Sequence, residues 1–165
     1  MKTVTSSTII AVLLFLCTNG VQAQTTDTNL NQVELMKQFI GSWKSDYATD
    51  TIVFWDAISY GTGLICNYRF VSIGTLVKEG KQLWGYDKRI DKYVATSLPK
   101  GMDIEIDAYW FVSKNVCEAF LYNDIANPEN ASLKWVIEFK SPDMFIETVT
   151  ETNKPVRTIT YIRIK

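Results

Sequence analysis

The residues that could do chemistry are mostly carboxylates. Asp103, Glu105 and Asp107 alternate along one strand-like run, a spacing that would put three acidic side chains on one face. Such a face could hold a cation or an acid–base pair. Inside a protein, though, the three would repel one another and each would bear a large desolvation cost. We therefore expect this face to be solvated, with Met102, Ile104, Ile106, Ala108 and Trp110 on the inward side. Asp56, Glu118 and Glu147 are single candidates for proton transfer, because each lies in a strand beside an apolar neighbour, Trp55, Cys117 and Ile146 respectively. Alternation points each of them outward.

Histidine is absent from the chain. That removes the commonest general base, the commonest metal ligand and the usual haem ligand. Neither a metal site nor a cofactor is expected. Cys66 and Cys117 have no histidine to activate them as nucleophiles. An oxidising compartment permits a disulfide between them, and two buried free thiols are the alternative. With 17 basic and 18 acidic residues and no basic stripe, the chain has no footprint for nucleic acid or an anionic membrane.

Aromatic side chains are the other resource. Tyr68, Trp84, Tyr86, Tyr93, Tyr109, Trp110, Tyr122, Trp135 and Tyr161 are spread over almost every strand-like run. Those that face inward offer apolar area with one hydrogen-bonding tip each. A pocket of this kind suits a flat, mostly apolar or aromatic small molecule. Leu133, Trp135, Ile137 and Phe139 alternate with Lys134, Glu138 and Lys140, so the first set points in. On the last run Arg157, Ile159, Tyr161 and Arg163 share a face whose direction alternation leaves open.

The elements that must position these groups follow from periodicity. Asn31 can cap a short helix with Glu34 three residues on, and Val33, Met36 and Ile40 share a face beside Leu35 and Phe39. Gly41 follows as a left-handed C-terminal cap. Beyond it come about ten strand-like runs separated by Gly, Pro, Asn and Asp turns. They are approximately 42–48, 51–58, 63–78, 82–87, 92–98, 102–112, 116–122, 132–140, 144–151 and 156–164, with Gly74 bending or bulging the long third run. No helical crossover fits between them, so the strands should pair antiparallel with their neighbours. Closure would remove the sheet edges, and about ten strands leave room inside for a ligand. The expected fold is thus an all-β, closed, up-and-down barrel with a helical plug at one end; a filled two-sheet sandwich is the alternative.

Gly41-Ser42-Trp43, just after a short helix, resembles the Gly-x-Trp signature of the calycins, the superfamily of lipocalins and fatty-acid-binding proteins. The run from Leu83 to Asp87 followed by Lys92, Tyr93 and Val94 is also similar to a hairpin of bacterial lipocalin-like domains of uncharacterised function. The resemblance spans residues 35–165. It implies that Trp43 plugs one end of the barrel under an arginine from the last strand, Arg163 or else Arg157. It also implies a carboxylate clamp on that strand, for which Tyr161 and Arg163 have the spacing in reversed order.

Residues 1–23 read as a signal peptide: Lys2, an apolar core at 9–16, and Val21-Gln22-Ala23 before the cleavage site. The core is too short to cross a bilayer, and no later segment is long and apolar enough. Residues 24–30 are polar and read as a disordered tether, and 31–165 as the barrel domain. The product is expected in the periplasm or secreted, and its oligomeric state is left open.

Three functions fit these features. The first is a non-catalytic barrel holding a small apolar or aromatic ligand. The second is a barrel enzyme of isomerase or cyclase type using Tyr, Asp or Glu, which a carboxylate buried in the cavity beside a tyrosine would favour. The third is an interaction module, which an exposed apolar patch without a cavity would favour.

Overall fold

The structure is a computed structural model that describes residues 30–164. The expected signal peptide and all but the last residue of the tether lie outside the described residues. The helix α1 (Gln32–Met36) runs into a 3-10 turn (Lys37–Phe39). Ten strands follow: β1 (Gly41–Ala48), β2 (Thr51–Tyr60), β3 (Gly63–Ser72), β4 (Thr75–Asp87) and β5 (Lys92–Pro99), then β6 (Glu105–Phe111), β7 (Val116–Leu121), β8 (Leu133–Ser141), β9 (Met144–Glu151) and β10 (Arg157–Arg163). Every strand pairs antiparallel with its sequence neighbours, and β10 pairs with β1, closing the barrel.

Asn31 accepts a hydrogen bond from the Glu34 amide as an N-cap should, but the Glu34 carboxylate turns to Lys37 instead of completing a box. The buried face of the plug is Gln32, Met36 and Phe39; Val33, Leu35 and Ile40 are only half-buried. Gln32 can be buried because its amide pairs twice with the Phe111 backbone, donating to the carbonyl at 3.0 Å and accepting from the N–H at 2.7 Å. This tie fixes the plug to β6.

Gly41 does not form the left-handed cap. Its φ of +132° is a backbone setting open essentially to glycine, and a Cβ there would overlap Arg163 Nη1. The guanidinium needs that space. It lies 4.1 Å above the Trp43 ring, donates to the carbonyls of Ile40 and Gln38, and donates through Nε to Pro142 at 2.9 Å. Trp43 is fully buried, and its Nε1 donates to the Phe39 carbonyl at 2.8 Å. Of the two arginines considered for this position, Arg163 holds it.

Two boundaries differ from expectation. The run 63–78 is two strands, because Ile73 (φ +49°) and Gly74 (φ +76°) form a two-residue hairpin turn instead of a bulge. Both central residues have positive φ, the primed-turn geometry usually flagged by Asn-Gly or Asp-Gly, and an isoleucine hides it. Conversely Glu79-Gly80-Lys81 is mid-strand. The Tyr68 ring lies over Gly80, its cross-strand partner, where a Cβ would overlap the phenol.

Cys66 and Cys117 are free, buried thiols. They belong to β3 and β7, which are not neighbours in the barrel, so strand pairing does not bring them to bonding distance. Burial pushes both thiols up in pKa, which keeps them unreactive.

The clamp makes a stability prediction. Gly41→Ala should lower the unfolding free energy by about 2 kcal/mol or more, through backbone strain and displacement of Arg163. Arg163→Ala should cost a similar amount. Denaturant unfolding with a single tryptophan-fluorescence transition measures both, and unchanged midpoints would remove the clamp from the account.

Candidate functional site

The barrel encloses a cavity of about 270 Å³, at the small end for a small-molecule site. Phe39 from the plug forms its floor, packed on Trp84 at 5.5 Å and Trp55 at 5.8 Å between ring centres. Odd residues of β2 (Val53, Trp55) and even residues of β3 (Tyr68, Phe70) and β4 (Lys78, Gln82, Trp84) supply one wall. Residues from β5, β6, β8, β9 and β10 supply the other, including Ser97, Glu105, Asp107, Tyr109, Trp135, Ile137, Glu147, Arg157 and Tyr161. Pleating dictates this alternation once one residue per strand is turned inward.

Five of the aromatic candidates line the cavity: Tyr68, Trp84, Tyr109, Trp135 and Tyr161. Trp84 lies against Tyr109 at 4.1 Å, and Tyr161 stacks on Phe145 at 4.6 Å. The others are elsewhere. Tyr86 bonds Asp91 at 2.6 Å and packs on buried Tyr93 toward the plug end, Trp110 stacks on buried Phe120 on the sheet's outer face under the Lys92 ammonium, and Tyr122 is exposed in a 3-10 turn. Arg163 sits in the clamp, so no Tyr161–Arg163 pair faces the cavity; the arginine of β10 that lines it is Arg157.

The acidic face of β6 is reversed from expectation. Glu105 and Asp107 point into the cavity with Tyr109, while Met102, Ile104 and Ile106 are exposed; Asp103, just before the strand, is exposed as expected. The reason is lateral register. Ile106 ends a row of cross-strand partners on the outer surface, Ile58, Ile65, Leu83, Thr96 and Ile106, which turns the alternate β6 residues inward. This exterior apolar row coexists with a cavity, so it does not meet the condition set for a pure interaction module.

Glu147 also turns inward, against expectation, next to Tyr161's strand. Glu118 is outside, paired with Lys134 at 2.7 Å, and Asp56 lies in a shallow outer groove with Asn67 and Arg69. Sequence reasoning did not single out Tyr47, Trp55, Gln82, Ser97, Asp107 or Arg157 as lining the site. A signal did exist for Asp107, since its face continues through Tyr109 to Phe111.

The electrostatics of the wall are uneven. Gln82 satisfies three partners, accepting from both Trp55 and Trp84 Nε1 at 3.2 Å and donating to Ser97 at 2.9 Å. Asp107 is only 3% exposed, and its Oδ1 has no hydrogen-bond partner. Burial, then the neighbouring Glu105 charge, raises its pKa to about 7. Burial likewise raises Glu147 to about 7, partly offset by Arg157. Glu147 lies deep in the barrel yet keeps accessible surface, because that surface is cavity wall. Burial and these carboxylates push Tyr109 and Tyr161 up, so both stay neutral phenols.

The mouth is lined differently. Arg157 bonds the Tyr47 hydroxyl and lies 4.8 Å over its ring, and Lys78 lies over Phe70 and Tyr68 at 5.6 and 6.0 Å. Among the described residues neither cation forms an ion pair with Glu105, Asp107 or Glu147. No cluster of metal-ligating side chains and no helix long and apolar enough to cross a membrane occurs among the described residues. Neither a scan against known protein families nor a search of curated proteins returns a match.

A pH prediction follows from Asp107. Its folded pKa is raised above the unfolded value near 4, so its stabilisation is complete below about pH 4 and is lost as pH rises toward about 7. Asp107→Asn should therefore be more stable than the parent by roughly 1–3 kcal/mol at about pH 8, with the gain vanishing near pH 4. Glu147→Gln should act in the same direction. Denaturant midpoints across pH measure this, and a pH-independent difference would contradict the inward placement.

Proposed function

We propose that this chain is an exported, calycin-like barrel that binds a small aromatic or apolar molecule in its interior. The observation that carries the reading is the cavity itself, walled by three indoles and four phenols and floored by the plug's Phe39. Supporting it are the Gly41, Trp43 and Arg163 clamp, which has the form the Gly-x-Trp resemblance implies, and the signal-like N-terminal sequence. Flat rings fit between facing aromatic walls, and Gln82 and Ser97 offer polar atoms to fix orientation. Filling the cavity should abolish binding. Ser97→Trp is expected to weaken any aromatic ligand at least about tenfold in a tryptophan-fluorescence titration, with the far-ultraviolet dichroism of the barrel retained. Equal binding by that variant would place the ligand outside the barrel.

One observation favours a second reading, an acid–base enzyme of isomerase or cyclase type. Asp107 and Tyr109 face the same cavity from adjacent inward positions, and Glu147 is close enough to Tyr161 to raise its pKa. Carboxyls titrating at about 7 can take and return a proton at neutral pH. An enzyme of this kind would exchange a carbon-bound hydrogen of its bound substrate with deuterated solvent. Glu147→Gln or Asp107→Asn should slow that exchange by about 100-fold or more. A bound molecule that exchanges no hydrogen would leave the binding reading alone.

A further inference from the structure

Resting on the reading of the barrel as a small-molecule binder, we propose that the inner cavity is an amine subsite, in which Asp107 pairs with the protonated nitrogen of an aromatic amine. The geometry supplies three reasons. Asp107 is almost wholly buried, lines the cavity, and has an oxygen with no hydrogen-bond partner. An unpaired buried carboxyl is costly, and a cationic donor is the partner that satisfies both its charge and its lone pairs.

The second reason is the charge balance of the wall. Glu105, Asp107 and Glu147 face the cavity, against Lys78 and Arg157. Both cations are engaged at the mouth, Arg157 with Tyr47 and Lys78 over the Phe70 and Tyr68 rings. The other ionisable groups facing the cavity are the phenols of Tyr47, Tyr68, Tyr109 and Tyr161, which bring no positive charge. An anionic ligand placed at depth would add a like charge to the carboxyls. A cation neutralises them.

The third is the surface beside Asp107. Its inward neighbour Tyr109 and the Trp84 indole both line the cavity, and an aromatic wall of this kind attracts a desolvated cation. The aromatic body of the ligand then lies against the cavity's aromatic wall, to which Phe39 and Trp135 both contribute. Because the cation binds the ionised carboxyl, binding releases the proton that burial keeps on Asp107. Affinity should therefore rise with pH until the carboxyls are ionised.

The test uses three soluble probes of one shape: 2-phenylethylamine, neutral 2-phenylethanol and anionic phenylacetate, titrated calorimetrically into the barrel. At about pH 8 the amine should bind at least about tenfold tighter than the alcohol, and phenylacetate weakest. In the unmodified protein the amine's affinity should rise about tenfold or more from pH 5.5 to pH 8, a measurement that needs no variant. Asp107→Asn, shown to be folded by dichroism, should bring the amine to within about twofold of the alcohol. Equal affinities for amine and alcohol, binding that weakens with rising pH, or phenylacetate binding tightest would overturn the amine subsite alone. Absence of binding by all three would overturn it together with the binding reading.

Discussion

The closure of this barrel depends on one guanidinium seated on one indole. β1 and β10 share only two register pairs, Trp43 with Arg163 and Lys44 with Ile162, whereas the β2–β3 hairpin aligns ten. The closing seam thus has the fewest aligned pairs of any junction in the sheet. Arg163 compensates by capping Trp43 and gathering the carbonyls of Gln38, Ile40 and Pro142, which come from the plug and the β8–β9 turn. First strand, last strand and plug are joined at one point. The glycine at 41 is required there because any side chain would occupy the guanidinium's place.

With that end shut, the remaining interior has two characters. Near the plug, Phe39, Phe111, Phe139 and Phe145 pack edge to face and stacked, a solid aromatic floor. Toward the mouth, packing gives way to space, and the wall carries carboxyls and phenols. A cavity tolerates a carboxyl that a packed core would not, because water or a ligand can reach it. Asp107 and Glu147 both line the cavity at this boundary, Asp107 almost wholly buried and Glu147 with accessible surface. That compromise lowers the stability of the barrel as pH rises toward about 7.

Much of this organisation is legible along the chain. The Asn31 cap, the plug, the tryptophan at 43 and the inward set of β8 follow from spacing, because helix and strand periods act locally. The β3–β4 turn is not legible, since Ile73 occupies a backbone setting its side chain disfavours and Gly80 imitates a turn. The direction of β6 is misread for a different reason. One face, Met102, Ile104, Ile106, Ala108 and Trp110, is apolar throughout, and the other follows its carboxylates with Tyr109 and Phe111, so both can be buried and alternation finds the period without its phase. Burial cost argues for carboxylates outside, but it presumes a filled interior.

The order of residues by itself determined a short plug, about ten antiparallel strands, a histidine-free chemistry and the tryptophan to be capped. These are properties of local period, turn chemistry and composition. Only the tertiary structure decided which arginine caps it, which aromatics share a wall, and that Asp107 and Glu147 face inward. Those outcomes depend on lateral register around the barrel. A strand's phase is set by neighbours distant in sequence, and a shift of one residue exchanges its inner and outer faces.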